Sequence, residues 1–536
     1  MLAVALALTG IFAGAMATEA KVHDTRPVAM QASPSTLPDG WQQGAFMEIF
    51  VRAYKDTNGD GIGDLKGVTQ SLDYLQTLGV KGIWLMPITA SADGDHGYAT
   101  TDFTAIEPAY GTLADFDELI AQAHARGMGV IMDYVINHSA RSHPFFESAL
   151  QGPSSPYYDW YVWESEAPKG WDIWGKNPWF TTPQGAYFGT FGPHMPDFNF
   201  RNPAVLAYHQ SSLRFWLNRG LDGYRLDAVP HLVENTAKHW NDQPQSRQIT
   251  GALTALITDY PKRFVVCEAT AKPQVYAAKD ICGSAFAFGL ERQFVLAAQG
   301  ERKAIHAVAD YFKTAPATMA TFVSNHDIFA GRRLWDQVQG NEAHYRLAAA
   351  SYLLQPGTPF IYYGEELGMA GVPGLEGDLP LRTPMSWSAD AQRAGFTTGS
   401  PFRPVSPNVA QNNAEAQRQD PKSLFNFYRG LLEVRNTFPS IARGSYLAPR
   451  VQGQVLAFQR TWADETTLVV INYGAKHAAV KLQQLPSRVR LKQVFSSLGE
   501  PNVAIQPLTA AVRVDGKGRA TLRVAPQSVL VFAVQR

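Results

Sequence analysis

Cysteine, net charge and long apolar runs are all scarce in this chain of 536 residues. Lys plus Arg and Asp plus Glu both number 47, so the charge gives no reason to expect nucleic acid or an anionic membrane as a partner. Beyond the first residues, no segment is long and apolar enough to cross a bilayer. We find no internal repeat. The composition favours a globular monomer that binds a neutral partner.

The two cysteines are Cys267 and Cys282. They would suit one disulfide in an oxidising compartment, but a bond requires Cα atoms within reach, which a sequence does not give. Cys267 also lies in an apolar run that predicts a buried strand. A buried, inert thiol is therefore the alternative.

An apolar run opens the chain and ends in small residues at Ala15 and Ala17. This pattern is typical of a secretory signal, so we expect residues 1–17 to be removed and the protein to be exported, to the periplasm or outside the cell, with no stable membrane association afterwards. No Lys or Arg precedes the run. An uncleaved anchor is the alternative, although the run is short for a membrane span. A leader or linker follows at 18–39.

Strand-like apolar runs alternate with amphipathic helical stretches through most of the chain. Strands separated by helices predict βαβ units and a parallel sheet. A weak candidate at 285–290 brings the strand count to eight, which favours a (β/α)8 TIM barrel, an α/β fold, over an open sheet. The seven clear runs cover 45–51, 80–86, 128–135, 223–227, 263–268, 320–325 and 359–364.

Two stretches break this alternation. Residues 137–199 are rich in Trp, Tyr, Pro and Gly and lack a helical period, which predicts a loop-rich insertion after the third strand. Short β-type runs replace the alternation near the end, so we expect an antiparallel β-sandwich domain at 437–536. The barrel would then comprise residues 40–136 and 200–436.

Three carboxylates follow strand-like runs: Asp227, Glu268 and Asp327. Barrels carry their chemistry where parallel strands give way to loops, so these acids could share one site. Arg225 lies two residues before the first acid and His326 directly before the third. Any one of these acids could instead be a helix cap or turn residue, and Arg225 with Asp227 could form a structural ion pair.

The motifs around these acids resemble those of the α-amylase family, glycoside hydrolase family 13. GYRLDAVPH (223–231), the segment around Glu268 and FVSNHD (322–327) stand in that family's order, after DYVINH (133–138). The barrel, the insertion and the β-sandwich resemble its three domains. The joint occurrence of the motifs in order makes a chance match implausible.

The resemblance implies separate duties for the acids. Cleaving a glycosidic bond requires two carboxyl groups that differ in protonation. By resemblance, Asp227 is the nucleophile, Glu268 the general acid and base, and Asp327 stabilises the transition state. Arg225 should face the same side as Asp227 and keep it ionised.

Further residues are expected to bind the sugar. By resemblance, His138 and His326 hydrogen-bond sugar hydroxyls, Tyr98 stacks under the ring, and His231 lies near the reducing-side subsites. A lone His138 could equally be a satisfied loop histidine. Ala228 follows the nucleophile where α-1,6-specific relatives carry Val, which favours α-1,4 bonds.

Two features point towards an exo-acting α-glucosidase. Asp95 and Arg382 resemble the acid and arginine that close the pocket around a terminal glucose, although both could be rim residues. The tryptophans of the insertion could line further subsites because flat apolar faces stack on sugars, or they could simply pack the insertion. They are Trp171, Trp174 and Trp179.

The segment DTNGDGIGD, residues 56–64, has alternating oxygen side chains separated by glycines, which suit a hard cation. An EF-hand is excluded because its last ligand position holds Gly67 and a strand precedes the loop. The segment instead resembles the calcium loop of some α-amylase relatives. The alternative is a glycine-rich turn without metal. The Ca²⁺ ligands would be Asp56, Asn58, Asp60, Asp64 and the Ile62 carbonyl.

We therefore expect an exported, calcium-binding, retaining hydrolase of α-glucans such as starch and maltooligosaccharides. Endo-acting α-amylase is the first expectation, and an exo-acting α-glucosidase or a transglycosylating relative is the second. A catalytically silent carbohydrate-binding protein is the remote alternative. All three acids are present, and a silent relative would be expected to have lost at least one.

Overall fold

The structure of the protein is a computed structural model that describes residues 25–498 and 512–535. The predicted signal segment, 1–17, lies outside these ranges. None of the helices within them is long and apolar enough to cross a membrane.

Short strands and helices alternate up to Arg443, and among the described residues strands alone follow. The strands are β1 Phe46–Ile49, β2 Gly82–Leu85, β3 Thr89–Ser91, β4 Thr100–Ile106, β5 Gly129–Tyr134, β6 Trp163–Glu164, β7 Trp179–Thr182, β8 Gly185–Phe188, β9 Gly223–Leu226, β10 Phe264–Cys267, β11 Ala320–Thr321, β12 Thr358–Tyr362, β13 Ser445–Gln452, β14 Val455–Trp462, β15 Glu465–Asn472, β16 Ala478–Leu482, β17 Arg490–Ser496, β18 Val512–Arg513, β19 Ala520–Val524 and β20 Ser528–Gln535. The helices are α1 Val51–Tyr54, α2 Leu65–Gln70, α3 Leu72–Leu78, α4 Leu113–Ala125, α5 Pro144–Ala149, α6 Pro203–Asn218, α7 Pro244–Thr258, α8 Pro273–Tyr276, α9 Glu291–Ala298, α10 Arg302–Tyr311, α11 Leu334–Gln337, α12 Glu342–Leu353, α13 Ala414–Gln419, α14 Leu424–Thr437 and α15 Pro439–Arg443.

Seven parallel strands form the central sheet, in the order β10-β9-β5-β2-β1-β12-β11. Two isolated parallel bridges, Cys267 to Ala285 and Phe286 to Ala320, join its two edges. The sheet is therefore closed, and the predicted eight-stranded barrel is confirmed. The weak eighth strand is only a two-residue bridge segment, shorter than the predicted 285–290.

The barrel interior is filled by large apolar side chains near the N-terminal ends of its strands. Phe46 of β1 contacts Phe360 of β12, with ring centroids 4.9 Å apart. Strand side chains alternate between the interior and the helix layer, so Val266 packs in the interior cluster while Val265 and Cys267 pack against the helices. This alternation directs every second residue of a strand towards the barrel axis.

Residues 25–39 lie against the N-terminal end of the barrel. The Arg263 guanidinium donates to the Ser33 carbonyl at 3.2 Å, and Lys262 Nζ donates to the Leu37 carbonyl at 2.8 Å. Leu37 itself is buried with the interior cluster. This part of the predicted leader is therefore packed onto the barrel.

The stretch predicted as a loop-rich insertion contains regular structure that the sequence did not indicate. Helix α5 lies in it, and an antiparallel sheet follows in the order β6-β8-β7. Bridges from His138 to Asp197 and from Tyr161 to Phe198 close its base. The strands are two to four residues long, too short for a clear alternating pattern.

The predicted antiparallel β-sandwich at the C-terminal end is confirmed. One sheet has the order β13-β14-β15-β20-β17-β18 and the other pairs β16 with β19. Apolar residues from both sheets, such as Val470 and Leu522, share one buried cluster.

Cys267 and Cys282 form a disulfide, with Cα atoms 6.2 Å apart. The alternative of an inert thiol at Cys267 is therefore wrong. The bond joins the end of β10 to the segment that precedes the bridge residue Ala285.

Candidate active site

A cavity of about 650 Å³ opens at the C-terminal ends of the barrel strands. It is within the size range of small-molecule sites. Seven of the ten catalytic and sugar-binding residues predicted from the sequence line it, namely Tyr98, His138, Asp227, His231, Glu268, Asp327 and Arg382. Arg225 and His326 are buried and contact these lining residues, and Asp95 is tied to Arg382.

The three acids come from three different strand ends. Asp227 follows β9 directly, Glu268 follows β10 directly, and Asp327 lies in the loop after β11. Asp227 is 5% exposed and Glu268 7% exposed. Buried carboxylates are costly unless they are paired, so each needs a cationic or hydrogen-bonding partner.

Arg225 is the cation that links the acids. Its Nη1 contacts Asp133 at 2.9 Å and also Asp227, while its Nη2 contacts Glu268 at 2.9 Å. Trp84 lies against the guanidinium, 5.3 Å from its central carbon to the ring centroid. One buried guanidinium therefore holds three carboxylates together.

The pKa of Asp227 is raised well above its usual range. Burial is the largest cause, and the charges of Glu268 and Asp133 add to it against the attraction of Arg225. Arg225 lowers this pKa, in the direction expected of a fixed cation beside the nucleophile, while burial and the two carboxylates raise it.

Ala228 forms a tight turn directly after Asp227. Its φ of 47° is left-handed, a conformation that costs a non-glycine residue about 1–2 kcal/mol. The turn directs the Ala228 N–H to Glu268 Oε2, at 3.0 Å. A β-branched residue at this position would be strained further. The turn thus couples the nucleophile strand to the second acid.

Asp327 is surrounded by cations. His326 Nε2 lies 3.2 Å from its carboxylate and Arg382 Nη2 lies 2.8 Å away. Burial alone would raise the pKa of Asp327, but these charges together with Arg225 lower it below its usual range. Asp327 is therefore ionised near neutral pH.

His326 is charged because it lies between two acids. Its Nδ1 contacts Glu48 at 2.6 Å, and its Nε2 contacts Asp327 and the Tyr98 hydroxyl. Burial lowers the pKa of His326, but Asp327 and Glu48 outweigh it and raise the pKa to about 10. Tyr98 in turn donates to Asp133 at 2.9 Å.

Arg382 continues this charged network away from the acids. Its Nη2 also contacts Asp378 at 3.1 Å, and its Nη1 lies 3.6 Å from Asp95. Asp95 pairs with Arg403, which also donates to the Arg382 carbonyl at 2.8 Å. Asp95 is thus a partner of two arginines and does not itself line the cavity.

The opposite side of the cavity is aromatic. Trp174 is 62% exposed and lies with its ring edge against His231 and Trp240, with centroids 5.6 Å apart in both pairs. Phe191 adjoins both Trp174 and His231. Of the three insertion tryptophans named from the sequence, Trp174 alone lines the cavity, whereas Trp171 and Trp179 pack against Phe188 inside the insertion.

Two histidines of the cavity are neutral. Burial lowers the pKa of His138 to about 3 and that of His231 to about 4. His138 Nε2 lies 3.1 Å from the Tyr98 carbonyl, so this nitrogen carries the hydrogen. Nδ1 of His138 has no hydrogen-bond partner among the described residues.

Several residues of the site were missed by the sequence analysis. Glu48 carried a signal, since it is a charged residue inside an apolar run, and such residues are buried only with partners. Asp133 lay in a recognised motif without a role. Arg403 carried no signal, because its partner Asp95 lies far away in the sequence, whereas Asp378 stands only four residues before its partner Arg382.

The glycine-rich loop at 56–64 does not line the cavity. Asp56 accepts the N–H groups of Asn58, Gly59 and Gly61 at 2.8–2.9 Å. Burial raises the pKa of Asp56, but the Thr397 hydroxyl and these amides outweigh it and lower the pKa. The segment from Asn58 to Asp64 follows the same pattern, since its remaining carboxylate and amide side chains also accept N–H groups of the loop.

The donors of this loop are all oxygens, which suits Ca²⁺, but they already stabilise the turn without metal. No group of three or more His, Cys, Asp or Glu side chains in the described ranges is arranged to hold a metal ion. The loop is thus not a preformed cluster of carboxylates. The predicted Ca²⁺ site stays a prediction.

Comparisons with known proteins place the chain. Residues 48–444 match the family "Alpha amylase, catalytic domain". Alpha-amylase 3 of Dictyoglomus thermophilum is 31% identical over 457 residues, covering 81% of this chain and 85% of that protein. Trehalose synthase/amylase TreS of Mycobacterium tuberculosis is 32% identical over 480 residues, covering 79% of each.

A solved structure shows the same architecture. Trehalulose synthase MutB of Pseudomonas mesoacidophila superposes with a TM-score of 0.78 at 28% identity, covering 92% of this chain and 99% of that one. The family match spans the barrel and all three acids. The chain therefore belongs to the α-amylase family, glycoside hydrolase family 13, and is a glycoside hydrolase.

Proposed function

We propose that this enzyme is a retaining hydrolase of α-1,4-glucosidic bonds in starch and maltooligosaccharides. The observation that carries the proposal is the sharing of one guanidinium by two acids. Arg225 contacts Asp227 through Nη1 and Glu268 through Nη2. Carboxyl groups held this closely suit a double displacement, because an inverting enzyme needs room for a water between its acids.

In the first step, Asp227 attacks the anomeric carbon while Glu268 gives its proton to the leaving oxygen. The glycosidic bond breaks and a glycosyl ester of Asp227 forms. In the second step, water attacks that carbon, Glu268 takes the proton of the water, and Asp227 leaves as a carboxylate. Each sugar retains its configuration after two inversions.

These steps need Asp227 as a carboxylate and Glu268 with its proton. Positive charge develops at the anomeric carbon beside Asp227, which favours the ionised form of Asp227. Asp327 is already ionised, and it would stabilise the same positive charge. Tyr98 and His138 line the same cavity and would contact the sugar.

Endo action on α-1,4-glucans is our first assignment. It is supported by the similarity to a protein named Alpha-amylase 3, and by the partly open cavity with an aromatic side. Ala228 also favours α-1,4 bonds, because α-1,6-specific relatives carry Val directly after the nucleophile.

An exo-acting α-glucosidase or a transglycosylating enzyme is the second assignment. The ion pairs of Arg382 with Asp327, Asp378 and Asp95 favour it, because a charged wall beside the reacting sugar would stop a longer chain from passing. The relatives include a protein named trehalose synthase/amylase.

The experiment compares soluble starch with maltose as substrates for the purified protein and for Asp227→Asn. We expect mixed maltooligosaccharides from starch, little action on maltose, and a loss of at least a thousandfold in Asp227→Asn. Asp464→Asn, in an exposed turn of the β-sandwich, is the matched control. Glucose alone from short substrates would select the second assignment, and full activity in Asp227→Asn would refute the mechanism.

Ca²⁺ at the loop 56–64 is a further part of the proposal and rests on donor chemistry alone. We expect EDTA to lower the melting temperature of the wild type and excess Ca²⁺, but not Mg²⁺, to restore it. Asp60→Asn alters an exposed side chain of the loop and should remove this response. If EDTA does not change the melting temperature, residues 56–64 form a glycine-rich turn without metal.

Export from the cytoplasm is the last part of the proposed function. The disulfide supports it, because such bonds persist in oxidising compartments. Cleavage after residue 17 would leave the packed residues from 25 onwards intact. Mass analysis of protein recovered from the periplasm or medium is expected to show this shortened chain, and a full-length chain held in the membrane would contradict it.

A further inference from the structure

The disulfide lies directly beside the proposed general acid. Cys267 is the last residue of β10, and Glu268 is the next residue of the chain. Both sulfur-bearing residues are buried, Cys267 at 0% and Cys282 at 2% exposure. A covalent link is thus attached to the backbone one residue from a group whose position controls proton transfer.

The barrel wall is thinnest on the same side. Towards β9, strand β10 has four consecutive parallel partners, from Phe264 to Cys267. Towards β11, it meets only the bridge segment 285–286. Two hydrogen bonds hold this contact, from Cys267 N–H to the Ser284 carbonyl at 3.0 Å and from Phe286 N–H to the Cys267 carbonyl at 3.1 Å.

The disulfide reinforces the outer face of this thin wall. Cys267 packs with the helix-side cluster, whereas Val266 before it packs inside the barrel. By the same alternation, Glu268 turns inwards to Arg225 and the Ala228 N–H. Cys282 is itself anchored, since its N–H donates to the Tyr276 carbonyl at 3.1 Å.

We propose that the Cys267–Cys282 disulfide is a positioning element for Glu268, taking over the role of the missing strand pairs. The proposal rests on the proposed function, in which Glu268 gives a proton to the leaving oxygen. Reduction by a dithiol would convert the disulfide to two thiols and the dithiol to its own disulfide. The strand end would then be free to move, while Asp227 on β9 would keep its place.

A positioning role predicts an effect that depends on the leaving group. The double variant Cys267→Ser/Cys282→Ser is compared with the wild type by kcat/KM on maltotetraose, which needs an acid, and on 2-chloro-4-nitrophenyl α-maltotrioside, whose leaving group needs little help. We expect a fall of at least tenfold on maltotetraose and of less than threefold on the aryl substrate. Equal falls, or no fall on maltotetraose, would overturn the proposal.

The choice of temperature separates an effect of the disulfide on stability from its effect on the position of Glu268. All rates are measured well below the melting temperature of each protein, which is recorded alongside. If the variant does not fold, folded wild type is treated with dithiothreitol, free thiols are counted, and the two substrates are compared before and after reoxidation. A reduced protein with an unchanged ratio of the two rates would also overturn the proposal. The wild-type rate on maltotetraose tests the proposed function separately. If the wild type does not cleave maltotetraose, the proposed function fails, and the ratio of the two rates is then not interpreted.

Discussion

The two sides of the cavity are built from different chemistry. Beside Asp327, His326 and Arg382 form a chain of buried ion pairs in which each group has two or more partners. Across from it, Trp174 and His231 meet through ring edges and have few polar contacts. Interlocked charges fix one arrangement, whereas exposed rings accept ligands of several shapes. The charged side should therefore control the rate, and the aromatic side the affinity.

The largest effect is expected from breaking the charged side at Arg382. Arg382→Met removes the cation that Asp327 and Asp378 share but leaves His326 beside Asp327, so the loss of stability should stay below about 3–5 kcal/mol, the cost of a fully uncompensated buried charge. We expect kcat/KM on maltotetraose to fall by about a hundredfold or more. Denaturant unfolding and steady-state kinetics measure the two effects.

Arg382→Lys is the matched control, because it keeps the charge but loses the forked geometry. It should recover part of the stability and less of the rate. Wild-type kinetics in Arg382→Met would show that these ion pairs do not act on the substrate.

An intermediate effect, on the melting temperature, is expected from a change in pH. The pKa of His326 is about 10 in the fold, against about 6.5 in an unfolded chain. Its cation therefore stabilises the fold fully below about pH 6.5, and this contribution is lost as the pH rises towards about 10. The melting temperature of the wild type should fall over that range more steeply than that of His326→Gln.

The aromatic side supplies the control for this experiment. Burial keeps His231 neutral, with a pKa of about 4, so His231→Gln should leave the slope between about pH 6.5 and 10 unchanged. Equal slopes in the wild type and His326→Gln would mean that His326 does not bear the charge assigned to it.

The smallest effect is expected from Trp174→Ala. Loss of a stacking ring is worth about 0.5–1.5 kcal/mol, so KM for maltotetraose should rise about two- to tenfold with little change in kcat. Trp462→Ala, at an exposed position of the β-sandwich, is the control. A change in kcat instead of KM would show that the two sides do not divide their work as described.

The barrel and its acids could be predicted because their signals are local. Each strand is a short apolar run, and each acid follows one, so a window of a few residues carries the information. The sequence pattern of the eighth strand was weak for a physical reason. In this segment, only Ala285 and Phe286 pair with neighbouring strands. The sheet of the insertion was missed for the same reason.

The partners of the site residues could not be predicted in this way. Arg403 meets Asp95 across 308 positions, and His326 meets Glu48 across 278. Neither pair leaves a pattern in the sequence between its members. The raised pKa of Asp227 is similar, because it depends on burial and on three neighbours contributed by two other strands and by β9 itself. Charge balance in such a site is a property of the fold.

The packing of residues 25–39 has a practical consequence for protein engineering. Lys262 and Arg263 bind carbonyl groups of this segment, and Leu37 covers the apolar floor of the barrel. A recombinant protein that started at Trp41 would expose that floor and tend to aggregate. An affinity tag should therefore be joined ahead of residue 25, where it would leave this seal in place.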